Sequence, residues 1–141
     1  MVDLEGAVHA FLARLLDVAA HLDTHEGEPA IFIETLPADY DVNRGVLIID
    51  APQLNTRADT SDATLRTAHV PVRAFSDIHA HGSTDLNAAG ELVAHHLQGP
   101  DFTLPDAHVL GRFADGPVTS PVDSPKLSAR RILFRLTFKE I

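Results

Sequence analysis

The 141-residue sequence has no cysteine and no tryptophan, and only one tyrosine and one methionine. Without thiols there can be no disulfide staple, thiolate zinc site or cysteine nucleophile. Cations are also scarce: 11 Lys and Arg stand against 20 Asp and Glu, a formal charge of −9. Tight binding to a phosphate backbone needs clustered positive charge, so this balance argues against a nucleic-acid-binding domain. No apolar run approaches the roughly 18 residues that a membrane span needs. Acids at Asp3, Glu5 and Asp17, with no basic leader, predict that the N-terminus is not a signal peptide and that the chain is cytosolic in type. The length predicts one domain over residues 1–141. Such a domain buries roughly two-thirds of its unfolded surface and needs no metal or disulfide to fold.

Chemistry-bearing motifs are equally sparse. No serine sits in a Gly-x-Ser-x-Gly elbow, and phosphate loops of the Gly-x-Gly-x-x-Gly or Gly-Lys-Ser/Thr kind are absent. Nine histidines raise the question of a metal. On a strand, His79 and His81 would point to one side, and Asp77 with a distant His95 or His96 could complete a zinc or iron site. This His-x-His is similar to the metal motif of the amidohydrolases, but that family needs a barrel of about 250 residues. No third ligand follows at a suitable spacing, so His79 and His81 are expected in an exposed strand-to-helix turn. His95 and His96 are adjacent and would diverge by about 100° on a helix, so they would not share an ion. No catalytic residue, metal or cofactor is therefore expected. A small metal-dependent hydrolase built on His79 and His81 is the alternative from another class.

Periodicity carries more information. Leu4, Val8, Phe11, Leu12, Leu15, Ala19 and Leu22 predict one amphipathic helix, ended by breakers within Thr24–Pro29. Strands are expected at Ala30–Glu34 and Val46–Asp50, the latter apolar on both faces and so interior to a sheet. Ala51–Asp62 is polar and aperiodic and reads as a long loop. Thr64–Phe75 alternates, with Ala68, Val70, Val72 and Ala74 on one side and Thr67, His69 and Arg73 on the other. Pro71 within it predicts an edge or a bulge.

A second helix is expected from Ser83 or Thr84, with Leu86, Ala89, Val93 and Leu97 inward and Gly99-Pro100 closing it. His108–Phe113 is a further strand candidate, and Ala114–Lys126, with Gly116 and prolines at 117, 121 and 125, reads as a second long loop. In the last strand Ile132, Phe134, Leu136 and Phe138 oppose Arg131, Leu133, Arg135 and Thr137. The basic cluster of Lys126, Arg130, Arg131, Arg135 and Lys139 reads as a solvated strand face. The expected fold class is α+β: a mostly antiparallel sheet of roughly four to six strands, two helices on one face, and long polar loops.

The order of these features resembles a known family. An amphipathic N-terminal helix, a strand, a polar loop, an alternating strand running into a helix (His69-Val-Pro-Val-Arg-Ala-Phe-Ser-Asp, then Asp85-Leu-Asn-Ala-Ala-Gly-Glu-Leu-Val-Ala) and a final Arg-Arg-Ile-Leu-Phe-Arg-Leu-Thr-Phe strand are similar to the tail-terminator proteins of long-tailed phages and gene transfer agents. Pro71 and the abundance of histidine depart from the usual pattern. The resemblance implies a non-enzymatic virion protein, assembled in the cytoplasm and then resident at the tail–neck junction. Its implied partners are copies of itself in a hexameric ring, the tail-tube protein and the neck or head-completion proteins. DNA would pass through the lumen without specific binding, and no membrane is involved. A head-completion or adaptor protein of the same neck is the near alternative. In a ring subunit the two loops would reach neighbours, which makes Asn55, Arg57, Asp59, Asp62, Asp115, Val118, Asp123 and Lys126 the expected interface side chains.

Overall fold

A computed structural model describes residues 2–56, 65–77, 79, 84–122 and 124–141. Three helices are found among them: α1 (Leu4–Ala13), α2 (Leu16–Ala19) and α3 (Thr84–Leu97). A small hairpin, β1 (Thr24–His25) with β2 (Glu28–Pro29), turns through Gly27 at positive φ. The main sheet comprises β3 (Ile31–Ile33), β4 (Val46–Ile49), β5 (Gln53–Thr56), β6 (Leu65–Asp77), β7 (Ala107–Ser120) and β8 (Leu127–Glu140). Its strands lie in the order β3-β4-β6-β8-β7, with β5 also paired to β6. Only β3 and β4 are parallel; the other ladders of this sheet are antiparallel. This is the expected α+β class. None of the described helices is long and apolar enough to cross a membrane.

Alternation fixes the layers. Ile132, Phe134, Leu136 and Phe138 of β8, with Ala68, Val70, Val72 and Ala74 of β6, are buried under the helices, as their period of two predicts. Leu4, Val8, Phe11 and Leu12 of α1 and Leu86, Val93, Ala94 and Leu97 of α3 join the same cluster, so both longer helices cover one face of the sheet. Phe102 plugs the centre, edge-on to Phe11 at 5.3 Å and to Phe134 at 5.2 Å. β4 is buried along its whole length and lies between β3 and β6, as its unbroken apolar run requires. A smaller cluster of Ala30, Val42, Val46, Ile48, Phe75 and Ala129 closes one end of the other face.

Several sequence expectations are corrected. The N-terminal helix does not continue to Leu22: Leu15 is extended (φ −88°, ψ 104°), and α2 restarts after it. The break resets the helical phase, so Val18 is buried where continuous periodicity placed Ala19. Pro71 is not at an edge, because β6 runs between β8 on one side and β4 and β5 on the other, but it faces an irregularity: between the pairs Ile49 with Val72 and Gln53 with His69, three residues of the neighbouring segment oppose two of β6. The Pro71 carbonyl accepts from the Asp50 amide at 2.9 Å, so its missing N–H points the same way, toward the gap where β4 ends and β5 has not begun.

Both expected loops are shorter than the sequence suggests. Within Ala51–Asp62, residues Gln53–Thr56 form β5. Within Ala114–Lys126, β7 continues to Ser120 through an irregularity between Asp115 and Val118. Gly116 (φ 115°) makes that bulge possible, since a Cβ there would meet the Arg131 carbonyl oxygen at 2.6 Å. The glycine and proline that read as loop chemistry are bulge chemistry.

Candidate interaction surface

The helices leave most of one sheet face without a second layer. Period-two geometry puts Arg131, Leu133, Arg135, Thr137 and Lys139 of β8 on it, opposite their buried neighbours. Cross-strand pairing then sets the rows: Arg73, Arg131 and Val118; Pro71, Leu133 and Asp115; His69, Arg135 and Phe113. Gln53 and Asn55 of β5 extend the face past β6, because they pair with His69 and Thr67.

Its charges are unequal in their freedom. Arg73 grips Asp50 with two hydrogen bonds, at 2.6 and 2.8 Å, and stacks over Phe75 at 5.1 Å, so its charge is met within the chain. Arg135 lies over the Phe113 ring at 5.1 Å, and neither it nor Arg131 has a carboxylate partner among the described residues. Phe113 and Val118 remain about half exposed, at 49% and 48%. His69, Phe113, Asp115, Leu133 and Arg135 line a shallow depression of about 110 Å³. Exposed arginine beside aromatic and aliphatic side chains is the chemistry of protein–protein contacts.

The expected interface residues divide into three groups. Asn55, Asp115 and Val118 are exposed on strands of this face, not on loops. Lys126 is turned inward electrostatically, 3.0 Å from Asp41 and 3.4 Å from Asp77, and both bonds raise its pKa. Arg57, Asp59, Asp62 and Asp123 lie outside the described residues. Phe113 gives no signal in the sequence, because a single exposed aromatic on an alternating strand looks like any core residue. Arg131 and Arg135, expected as a solvated face, flank it and Val118.

The histidines have local roles. His21 Nδ1 lies 2.7 Å from Asp85 Oδ1, and this bond, ahead of Arg44, holds the Asp85 carboxyl below its ordinary pKa despite partial burial. His96 Nε2 meets Asp17 at 2.7 Å, tying α3 to α2 and lowering Asp17 in the same way. His79 is exposed, and its backbone N–H donates to Asp77 Oδ1 at 2.9 Å. Asp77, the carboxylate a metal would have used, thus holds a turn and Lys126. His81 lies outside the described residues. Among the described residues no three His, Asp or Glu side chains gather as a metal site. A cavity of about 430 Å³ between α1 and Thr103–Asp106 brings together Asp3, Arg14 and Asp106, of which Asp3 caps α1 and Arg14 bonds the Ala10 carbonyl.

These features define an α+β chain whose helices cover one face of a six-stranded sheet and whose other face is largely open, cationic and partly apolar. The same architecture is found in a chain of a solved structure, the virion of a native gene transfer agent particle, with a TM-score of 0.76. The two chains share 18% sequence identity over 96% of this chain and 94% of that one, a likeness of fold. No protein-family model matches the sequence, and no curated protein matches it significantly.

Proposed function

We propose that this chain is a structural protein of a tailed particle: a tail terminator whose copies form a ring that stops tail-tube growth and joins the tail to the head. The observation that carries this reading is the end-to-end likeness to a gene-transfer-agent virion chain, which leaves almost no part of either chain unmatched. The sequence resemblance points the same way independently, through the order of helix, strand and terminal strand. The architecture suits the task. A sheet with helices on one face leaves most of the other face free for neighbouring copies. The net charge of −9 suits a lumen through which DNA slides, since like charge disfavours phosphate contacts. The partners on this reading are the tail-tube protein, a neck or head-completion protein and other copies of the chain. Assembly would take place in the cytoplasm and end in the particle.

Removing the gene from a particle-producing strain tests the reading. Loss of the chain should leave tails of uncontrolled length, or tails unattached to filled heads, in negative-stain images. Particles of normal form and yield would overturn it.

A further inference from the structure

The two outer strands of the sheet, β3 and β7, carry opposite surfaces. Near β7 lie Arg131 and Arg135, which have no carboxylate partner among the described residues, with half-exposed Phe113 and Val118. Near β3 the situation is reversed. Glu5, Glu34 and Asp3 lie close enough for the latter two to disfavour the charge on Glu5, after burial itself, and all three lack a cation partner among the described residues. Glu5 Oε2 is buried without any hydrogen-bond partner among those residues. An unmet carboxylate oxygen of this kind is costly until a cation reaches it. Beside it Val2, Asp3, Leu4, Glu5, Pro52 and Leu54 line a groove of about 340 Å³. Ile33 and Leu54, 41% and 49% exposed, supply an apolar component. Several other acids are already paired with cations: Asp50 with Arg73, Asp85 with Arg44, Asp41 with Lys126 and Glu140 with Arg66.

We propose that copies of this chain dock head to tail, the Arg131–Arg135–Phe113–Val118 face of one copy seating on the Glu5–Glu34–Leu54 rim of the next. The occupant is a second copy because each chain carries both halves of the match, charge against charge and apolar against apolar. The two halves sit on opposite sides of one sheet, so the contact is heterologous and propagates into a ring where the rotation closes. This rests on the ring reading above and names the surfaces that would build the ring.

Light scattering on the full chain tests it, using wild type, Arg131→Glu/Arg135→Glu and Glu5→Lys/Glu34→Lys, separately and mixed one to one. Wild type should be a multimer, each variant should fall to the 15.2 kDa of one chain, and the mixture should recover the multimer because the reversed charges match again. In case Glu5→Lys disturbs folding, Val118→Cys/Leu54→Cys in this cysteine-free chain provides a second reading. A short bis-maleimide should link it into a ladder, while either single variant should stop at dimers. Charge variants that keep the wild-type mass, with no ladder, would overturn the docking and leave the ring reading standing on another interface. Loss of duplex-DNA binding in a mobility shift, with the multimer intact, would make the face a nucleic-acid contact and overturn the docking too. A wild-type chain that stays single at every concentration would count against both.

Discussion

Gly90 of α3 and Pro117 of β7 approach so closely that a Cβ on Gly90 would lie 2.9 Å from the Pro117 Cβ. The contact seats the longest helix on the bulge of the edge strand. An exposed helix interior would gain about 1 kcal/mol from Gly→Ala, but here the added methyl meets a rigid ring. Gly90→Ala is expected to lower the melting temperature, since overpacking costs typically about 1–3 kcal/mol. A higher melting temperature would mean that the bulge yields.

The aromatic plug predicts a sharp contrast between the two faces of β8. Phe134→Ala removes a fully buried ring from contact with Phe102 and should destabilise by about 3–5 kcal/mol in denaturant unfolding. Arg131→Ala, one strand position series away on the open face, should change stability by about 0.5 kcal/mol or less. Similar losses in both would place the core on the wrong side of the sheet.

Tyr40 gives a spectroscopic handle, being the one tyrosine in a chain without tryptophan. Burial, then the neighbouring charge of Asp23 and its 3.2 Å hydrogen bond, push the phenol up to about 12. A raised value means that the folded state favours the neutral phenol. Its contribution is present below the ordinary value of 10.0 and is lost as pH rises through about 12. Absorbance titration should show late ionisation in the native chain, and Asp23→Asn should bring it to lower pH. A native midpoint at the free-tyrosine value would contradict the packing of the 34–45 segment against β1.

Asp85 makes the opposite prediction at low pH. Its carboxyl is held below the ordinary 3.8, first by His21 and then by Arg44 against partial burial. The depressed value means that its contribution is present above 3.8 and is lost as pH falls through the folded value. Asp85→Asn should therefore be less stable than wild type near neutrality, with the gap closing as the solution is acidified below pH 4 in melting experiments. A gap that stays constant would show that the carboxylate charge contributes nothing.

The parts legible in the sequence were those where one period dominates. Ile132–Phe138 alternates without interruption, and the structure buries one side of it and opens the other. The misread parts are where a local rule was answered by a tertiary partner. Gly116 and Pro117 look like a loop in one dimension, yet in three they form a bulge held between Arg131 and Gly90. Pro71 looks like an edge because nothing in the sequence tells that β4 and β5 leave a gap opposite it. The candidate surface was legible only as scattered cations. Cross-strand register, which is invisible in the sequence, brings Arg135 onto Phe113 and Arg131 beside Val118.

The central claim, a joining ring at the end of the tail tube, is tested most directly by locating the chain in assembled particles. A particle-producing strain carrying an affinity-tagged copy, labelled with nanogold and imaged by electron microscopy, supplies that measurement. The account predicts label confined to the head–tail junction, at a fixed copy number per particle. Label along the tail, on the head shell, or absent from purified particles would contradict it.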